Sequence, residues 1–412
     1  MKLFQKLLIA PAAFLMPISA TASEVTINDF AAAEELVVNS SPTDGLKAEL
    51  NNFEVGSFSE TTTMSGAASF QVGAVDGSAI TEAVTATYSY DIDMNTSFTG
   101  EDNLYVGIET GNSSSSIDFT LDSSGDGEDA LSVTSMYYQF PLENWDVAVG
   151  PKLDSDDLMP TTTSVYSDSF FFGSQYGLAS NFFASQGTGG GVAAARTFDS
   201  GWNVSGSIIG TSASTSSGLL TKEGNDIYTL SLGYDADNYG GGIVYQKSDS
   251  LCTLAEAFIS SVCTDLGVTA AFDEGYSSTT LGAYFKPGDK TTLSATSSIN
   301  DASVSGIEFD TVADFQFAID RELGDGTLSA SWKTFPFYKV PDLNEAVVKG
   351  DDIGSFIELY YTYDVNDSLS IRPGVAFTMP ASDAASIAAG SDDVAFYLID
   401  RTALGIGVDF KF

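Results

Sequence analysis

Residues 394–412 of the chain read VAFYLIDRTALGIGVDFKF. Apolar or small side chains alternate with others along this stretch, at Val394, Phe396, Leu398, Thr402, Leu404, Ile406, Val408, Phe410 and Phe412. The positions between them include Asp409, Lys411 and two glycines. Alternation with a period of two predicts a β-strand with one apolar face and one polar face. Such a strand is a poor open edge for a soluble sheet, whereas a closed membrane barrel leaves no edge.

This ending resembles the C-terminal insertion signal of bacterial outer-membrane barrels, in which a final aromatic residue follows alternating apolar residues. The alternative is an edge strand of a soluble β-sandwich. The mid-strand residues Tyr88 and Tyr90 fit a sandwich core. Trp145, Trp202 and Trp332 instead lie near predicted strand ends, where the interfacial girdles of a barrel place aromatic residues.

Composition excludes several classes of function. The chain has 412 residues, with 56 acidic residues against 16 basic ones and a formal net charge of −40. So acidic a protein repels nucleic acid, and we expect no nucleic-acid partner. The sequence contains no histidine. This removes Ser-His-Asp and Cys-His catalysis and the common zinc sites, so we expect neither an enzyme nor a cofactor.

The chain divides into three predicted segments. Residues 1–22 have the pattern of a secretory signal peptide, with Lys2 and Lys6 before the apolar run LLIAPAAFLMPI. Residues 23–60 are acidic and helix-prone, which predicts a short periplasmic helical segment. Residues 61–412 alternate between period-two runs and turns rich in Asp, Asn, Gly or Pro. We predict that this third segment is an outer-membrane β-barrel.

The connections between the predicted strands alternate between short and long. The short turns are 99–102, 141–144, 199–201, 235–238, 286–289, 321–326 and 364–367, and the longer connections are 75–83, 111–130, 151–188, 211–226, 248–275, 300–304, 336–353 and 380–393. In outer-membrane barrels periplasmic turns are short and external loops are long. This parity predicts an all-β, antiparallel, up-and-down transmembrane barrel of about 16 strands, with both termini in the periplasm. An additional hairpin at 115–121 would make 18 strands.

The N-terminal part carries a family resemblance. The stretches MKLFQKLLIAPAA and DGLKAELNNFEVGSFSETTTMSGAASFQVG look like the start of cyanobacterial outer-membrane porins related to carbohydrate-selective (OprB-like) and iron-uptake porins. Looser matches follow at TSFTGEDNLYVGIETGN, at 137–142 and at the glycines 189–191. The resemblance implies a passive channel for small hydrophilic solutes, among them inorganic ions, iron species and sugars, and a possible homotrimer.

The sequence departs from that family at one point. Family members usually carry a surface-layer-homology domain, taken to grip the peptidoglycan, between the signal peptide and the helical segment. Here only about twenty residues separate Ser23 from Asp44, which is too few for such a domain. The resemblance therefore gives no support to tethering at the cell wall.

The longest connection, 151–188, is the candidate loop for folding into the barrel. A barrel of sixteen strands is too wide to be filled by its own side chains. Asp154, Asp156 and Asp157 of this loop would narrow the pore and present negative charge. The alternative is a solvated acidic loop on the outside, and the sequence does not decide between the two.

The strand register predicts which charged side chains line the pore. The residues predicted to face inward are Asp91, Asp93, Glu109, Asp146, Lys333, Arg372, Arg401 and Lys411. Opposed charges across a constriction bias the passage of ions. Because acidic residues outnumber basic ones throughout the chain, we predict a preference for cations.

Two further motifs each allow a purely structural interpretation and a functional one. Cys252 and Cys263 bracket LAEAFISSV, and in an exported protein they predict a disulfide that staples a loop, rather than a reactive dithiol. The string from Asp122 to Asp129 has an oxygen-rich spacing typical of calcium sites, but it lacks the glutamate at the twelfth position. An acidic external loop is the simpler interpretation, so no metal site is predicted.

The sequence therefore predicts a porin in contact with outer-membrane lipid. Its rivals are a barrel without an open channel that stabilises the envelope, and a barrel enzyme, which the absence of histidine disfavours.

Overall fold

The computed structural model describes residues 61–77, 84–112, 129–166, 187–221, 224–249, 275–304, 307–308, 312–335, 354–379 and 401–412. The predicted signal peptide and helical segment lie outside these residues, as do Cys252, Cys263 and most of the Asp122–Asp129 string. The described part of the chain holds no helix of the length and apolarity that crossing a membrane requires.

The described residues form seventeen strand segments. These are β1 (Thr62–Gly77), β2 (Val84–Thr96), β3 (Asn103–Gly111), β4 (Ser132–Leu142), β5 (Trp145–Leu153), β6 (Gly189–Thr197), β7 (Trp202–Gly210), β8 (Asp226–Asp235), β9 (Tyr239–Ser248), β10 (Tyr276–Gly288), β11 (Thr291–Val304), β12 (Ile307–Glu308), β13 (Val312–Leu323), β14 (Gly326–Phe335), β15 (Gly354–Asn366), β16 (Leu369–Met379) and β17 (Arg401–Lys411). β12 pairs with the last residues of β11, while β11 also pairs directly with β13. Sixteen strands therefore make up the wall.

The wall is a closed antiparallel ring. Each strand pairs with its neighbours in the chain, and β1 pairs with both β2 and β17. This confirms the predicted sixteen-strand, up-and-down barrel. The alternative count of 18 strands, with an additional hairpin at 115–121 inserted in the ring, is wrong, because β3 pairs directly with β4.

Short and long connections lie at opposite ends of the ring, as the parity of the sequence predicts. The short turns include 143–144, 289–290 and 324–325, while the chain between β5 and β6 runs from Asp154 to Thr188. The predicted loop at 300–304 is wrong. β11 continues through these residues to Val304, where it pairs with Ile307. The polar residues Asn300 and Asp301 suggested a turn, but they pair with Ser278 and Ser277 of β10 instead.

The two faces of the wall differ in polarity. Large apolar side chains are exposed on one face, for example Phe70, Leu230 and Phe317. The other face carries small or polar side chains such as Ser69, Ser231 and Gln316, which occupy alternate positions of the same strands. Exposed apolar residues are stable on the outside of a barrel only when lipid surrounds it. The fold therefore places the chain in an outer membrane.

Aromatic side chains cluster at the short-turn end of the outer face. Trp145 and Trp202 are the first residues of β5 and β7, next to short turns. Phe98 and Tyr239 are exposed at neighbouring turns. Trp332 lies further into its strand and stacks on Phe317, with ring centroids 5.9 Å apart. A ring of aromatic residues at one end is what the interface between lipid and water favours.

The ring closes where the end of the chain meets β1. Gly66 N–H donates a hydrogen bond to the Phe412 carbonyl oxygen at 2.9 Å, and Phe412 N–H donates to the Gly66 carbonyl oxygen at 3.1 Å. The Phe412 ring stacks on Tyr90 of β2, with centroids 5.7 Å apart. A β-carbon at Gly66 would overlap the Asp91 carbonyl oxygen of β2 and would lie 2.6 Å from that ring. Gly66 therefore leaves the space in which the terminal aromatic side chain packs.

On the inner face of the same seam, an ion pair joins β16 to β17. The Arg372 guanidinium on β16 donates two hydrogen bonds to the Asp409 carboxylate on β17. Ser69 Oγ on β1 donates to Asp409 Oδ1 at 2.6 Å. Side chains of three adjacent strands thus converge on one carboxylate, and the paired arginine and aspartate are only 7% and 14% exposed. A two-pronged, poorly hydrated pair of this kind also fixes the register of the strands.

We predict that Gly66→Val weakens closure of the barrel. The added side chain presses on the Asp91 carbonyl oxygen of β2 and on the Phe412 ring, and overpacking of this kind costs about 1–3 kcal/mol. The temperature at which the refolded protein loses its folded mobility in SDS gels should therefore fall. Gly288→Val is the matched control, because a β-carbon at Gly288 meets no atom within 4 Å. Equal losses in the two variants would contradict the role assigned to Gly66.

Candidate functional site

The candidate site is a segment of the β5–β6 connection, residues 154–166, which lies along the polar face of the wall. Near its start, the Ser155 carbonyl oxygen accepts a hydrogen bond from Ser207 of β7 at 2.7 Å. Gln246 of β9 donates its side-chain amide to Ser155 Oγ at 3.1 Å. Thr161 Oγ1 lies 2.8 Å from Asn203 Oδ1 of β7 and 2.7 Å from Ser231 Oγ of β8. Threonine and serine hydroxyls thus bind the segment to three adjacent strands.

The far end of the segment reaches other strands. Val165 N–H donates to Ser294 Oγ of β11 at 3.3 Å. Tyr166 Oη donates to Glu358 Oε1 of β15 at 2.6 Å, and its ring contacts Tyr360 with centroids 6.3 Å apart. Contacts from β7 to β15 span nearly half of the ring. A single short segment reaches all of them along their polar faces only from the inside, so 154–166 lies within the barrel.

Three glycines in register make room for this segment. Gly233 of β8 pairs with Gly242 of β9, which pairs in turn with Gly282 of β10. A β-carbon at Gly282 would overlap the Thr163 carbonyl oxygen, and one at Gly242 would overlap the Thr161 methyl group. We call Gly233, Gly242 and Gly282 the glycine lane. Without side chains there, the backbone of the segment can lie directly on the wall.

The three predicted constriction acids form a tight turn at the start of the segment. Asp154 N–H donates to Asp157 Oδ2 at 2.7 Å, and Met159 N–H donates to the Asp156 carbonyl oxygen at 2.8 Å. Thr188 donates its hydroxyl to the Asp154 carboxylate. Burial raises the pKa of Asp156 to about 6, helped by the charge of Asp154. Burial likewise raises the pKa of Asp157 to about 6. It also raises the pKa of Asp154 above its ordinary value.

Polar and aromatic side chains of β2, β3 and β4 share the inner face near this turn. Tyr105 Oη donates to Asp93 Oδ1 at 2.5 Å, and the Tyr105 and Tyr137 rings lie 5.1 Å apart. Asp91 and Glu109 face each other on β2 and β3, on the same side as Asp93. The carboxylates of β2 and β3 and the acidic turn therefore make this part of the barrel strongly negative.

The remaining predicted lining residues are dispersed. Asp146 is the second residue of β5 and is exposed near the short turn 143–144. Lys333 is buried on β14, and Arg372 is bound to Asp409 at the seam. Arg401 is the first residue of β17, and its side chain lies outside the described part of the structure. The structure thus groups Asp91, Asp93 and Glu109 on two adjacent strands, and places the cations elsewhere.

Sequence reasoning missed the residues that hold the segment in place. Tyr166, Glu358 and the glycine lane are not among the predicted site residues. Glu358 carried one usable signal, because it is an acid at an inward position between Phe356 and Tyr360. The glycine lane could not be found in this way, since it exists only once the register of three strands is known.

Metal binding has no support in the described part of the chain. In the ten described ranges, no three or more Cys, Asp or Glu side chains lie together in a way that would hold a metal ion.

A closed sixteen-strand ring with an apolar outside, a polar inside and a connection folded against its inner wall defines the class of porin-like outer-membrane barrels. No protein-family model matches the chain, and no curated protein matches it.

Solved structures share the fold at low sequence identity. OprB of Pseudomonas putida superimposes with a TM-score of 0.59 at 12% identity, over 89% of this chain and 96% of that one. A loop-deletion mutant of OmpT, an outer membrane protein of Vibrio cholerae, gives 0.54 at 11% identity, over 85% and 100%. A mutant of the Rh. blastica porin gives 0.51 at 13%, also over 85% and 100%. At these identities the likeness concerns the fold alone.

We predict that Gly282→Ala lifts the segment from the wall, because the new β-carbon takes the place of the Thr163 carbonyl oxygen. The connection contains Phe170, Phe171 and Phe172, which chymotrypsin recognises. Digestion of the folded protein in detergent should therefore cut the connection faster in this variant. In the control Gly206→Ala, the new β-carbon meets only the flexible end of Leu230 and the Thr229 carbonyl oxygen. Cleavage at the wild-type rate in Gly282→Ala would show that the lane does not seat the segment.

Proposed function

We propose that the protein is a porin, a passive diffusion channel for small hydrophilic solutes across an outer membrane. The observation that carries the proposal is the segment 154–166 inside a sixteen-strand ring. Such a ring is wider than its own side chains can fill. A segment bound along the inner wall narrows the interior without the bulk of a plug domain. This arrangement supports a water-filled pathway with a constriction.

The charge of the inner face supports a preference for cations. The inner-face positions of the described strands carry more acids than bases: the acids include Asp91, Asp93, Glu109, Asp146, Asp235, Asp314, Asp320, Glu322, Glu358, Asp364 and Asp409, and the described basic side chains include Lys286, Lys333, Arg372 and Lys411. Arg372 is neutralised by Asp409. The turn of Asp154, Asp156 and Asp157 adds negative charge at the inner wall. We propose that these three residues form the negative side of the constriction and that Asp91, Asp93 and Glu109 line the pathway beside it.

One observation favours the rival, a barrel that stabilises the envelope without an open channel. Several inner-face polar side chains are buried, including Gln71, which is 1% exposed, and Asn300, which is fully buried. A wide aqueous pore would leave more of this face wet. An enzyme is disfavoured by the absence of histidine throughout the sequence.

The family resemblance of the sequence suggests finer features of this function. We propose that the solutes are inorganic ions, with iron species and sugars as further candidates. We also propose export through a signal peptide at residues 1–22, a short periplasmic segment at 23–60, and assembly as a homotrimer. Cys252 and Cys263 are proposed to form a disulfide in an external loop.

Recordings from the purified protein in a planar lipid bilayer test the channel directly. We expect large, stable conductance steps, and a reversal potential in a salt gradient that shows cation preference. A folded protein that gives no steps would support the closed barrel and overturn the porin. Steps with anion preference would leave the channel standing but contradict the assignment of the acids. Addition of sugars or iron chelates during the same recording compares the solute classes.

We predict that the cation preference falls as the pH is lowered from about 8 to about 5. A carboxyl group one unit below its pKa keeps about a tenth of its charge. Asp156 and Asp157, with pKa values of about 6, are therefore ionised at the upper pH and mostly neutral at the lower one. Carboxyl groups with ordinary pKa values, near 4, keep most of their charge over this range.

The double variant Asp156→Asn, Asp157→Asn isolates this effect. Its reversal potential should be less cation-selective at the upper pH and should change less on acidification than that of the wild type. A pH dependence as steep as that of the wild type would assign the titration to other groups.

A further inference from the structure

The segment 154–166 is held in two different ways along its length. Residues 155–163 are bound by hydroxyl groups and lie on the glycine lane, in contacts spread over β7 to β10. Its last residue, Tyr166, makes its contacts four strands further round the ring, on β15. Residues 155–163 therefore follow the wall, whereas the far end of the segment crosses to another part of it.

The crossing contact is built from buried groups. Tyr166 is 6% exposed, and Glu358 is fully buried. Tyr166 Oη donates to Glu358 Oε1 at 2.6 Å, and Ser331 Oγ of β14 donates to the same oxygen at 3.3 Å. Tyr360, on the same face of β15, packs its ring edge against Tyr166. A short hydrogen bond from a hydroxyl group to a carboxyl oxygen is stronger away from water than in it.

The contact between Tyr166 and Glu358 matters because of where Tyr166 lies in the chain. Tyr166 is the last described residue before the chain continues toward Thr188 and β6. Without the contact on β15, the nearest attachments upstream are the Val165 amide on Ser294 and the glycine lane. Both lie on the β8–β11 side of the ring. Within the described segment 154–166, the Tyr166–Glu358 pair is thus the side-chain hydrogen bond that carries the segment across to β15.

We propose that Tyr166 and Glu358 form a latch that positions the constriction of the channel. Both are positioning residues, since they fix where the segment lies and are not required to touch a solute. Ser331 orients the carboxyl group, and Tyr360 holds the Tyr166 ring. Release of the latch frees the end of the described segment from β15 while its contacts on β7–β11 stay in place, so this end moves toward β8–β11 and widens the pathway. This inference rests on the proposed channel function.

Two variants break the latch and one preserves it. Tyr166→Phe removes the donor, and Glu358→Ala removes the acceptor. Glu358→Gln keeps an oxygen that accepts from the tyrosine hydroxyl. Tyr361→Phe is the matched control, because the Tyr361 hydroxyl donates to the Leu323 carbonyl oxygen at a short turn, away from the segment.

The first readout is chymotrypsin cleavage of the connection in the folded protein, which does not depend on conduction. Loss of this buried hydrogen bond increases the released population, and with it the cleavage rate, by about tenfold. We expect this increase in Tyr166→Phe and Glu358→Ala. Glu358→Gln and Tyr361→Phe should stay within about threefold of the wild type. Wild-type cleavage rates in Tyr166→Phe and Glu358→Ala would overturn the latch.

The second readout is single-channel conductance, which separates the latch from the channel proposal. We expect larger steps in Tyr166→Phe and Glu358→Ala, and wild-type steps in Glu358→Gln. A wild-type protein that never conducts refutes the porin, while the cleavage rates still decide the latch. Faster cleavage with unchanged steps would show that the latch holds the segment without setting the constriction, which overturns the proposal. If Tyr166→Phe failed to fold, Tyr166 would serve assembly of the barrel, and the proposal would also fall.

Discussion

The fold depends on one constraint, which is that no strand edge can be left open inside a lipid bilayer. An unpaired backbone amide or carbonyl group in hydrocarbon costs several kcal/mol, and a barrel avoids this only by closing completely. β1 and β17 pair over eleven positions, from Ala67–Lys411 to Gly77–Arg401. Closure therefore joins strands that are separated by nearly the whole described chain. The side chains at this seam are arranged to make that distant pairing specific.

Closure of the ring also explains why the two faces of the wall differ in polarity. Once the ring is closed, each strand has one face toward lipid and one toward the interior, so alternate residues meet opposite solvents. At the seam this places Phe410 and Phe412 outside, and Asp409 inside. The outer contacts are aromatic and the inner contact is an ion pair, because each side uses the interaction that its surroundings strengthen. The same alternation carries the negative charge of β2 and β3 inward, where it faces the acidic turn.

Most of the fold can be predicted from the sequence, because period-two alternation and turn composition are local signals. They give sixteen strands, the alternation of short and long connections, and the inward register of Asp91, Asp93 and Glu109. The error at 300–304 has a local cause. Polar residues at the end of the long strand β11 resemble a loop in sequence, although Asn300 and Asp301 remain paired.

The candidate site is less predictable, because its contacts join residues far apart in the chain. The sequence identifies 151–188 as a connection long enough to enter the barrel, but it does not decide whether this connection lies inside the barrel or outside it. That choice depends on the register that aligns Gly233, Gly242 and Gly282. It also depends on a tyrosine meeting a glutamate 192 positions away. Neither composition nor periodicity carries information on such pairings.

A disulfide across the seam tests closure of the ring most directly. Val72 pairs with Ile406, so Val72→Cys with Ile406→Cys places two thiols on facing strands when Cys252 and Cys263 are replaced by serine. Thr402→Cys, which faces Asp76 instead, supplies the mismatched partner for Val72→Cys. The account predicts rapid formation of an intramolecular disulfide in the matched pair of the folded protein, and none in the mismatched pair. Equal cross-linking in both pairs, or disulfides only between separate chains, would contradict a barrel closed by its first and last strands.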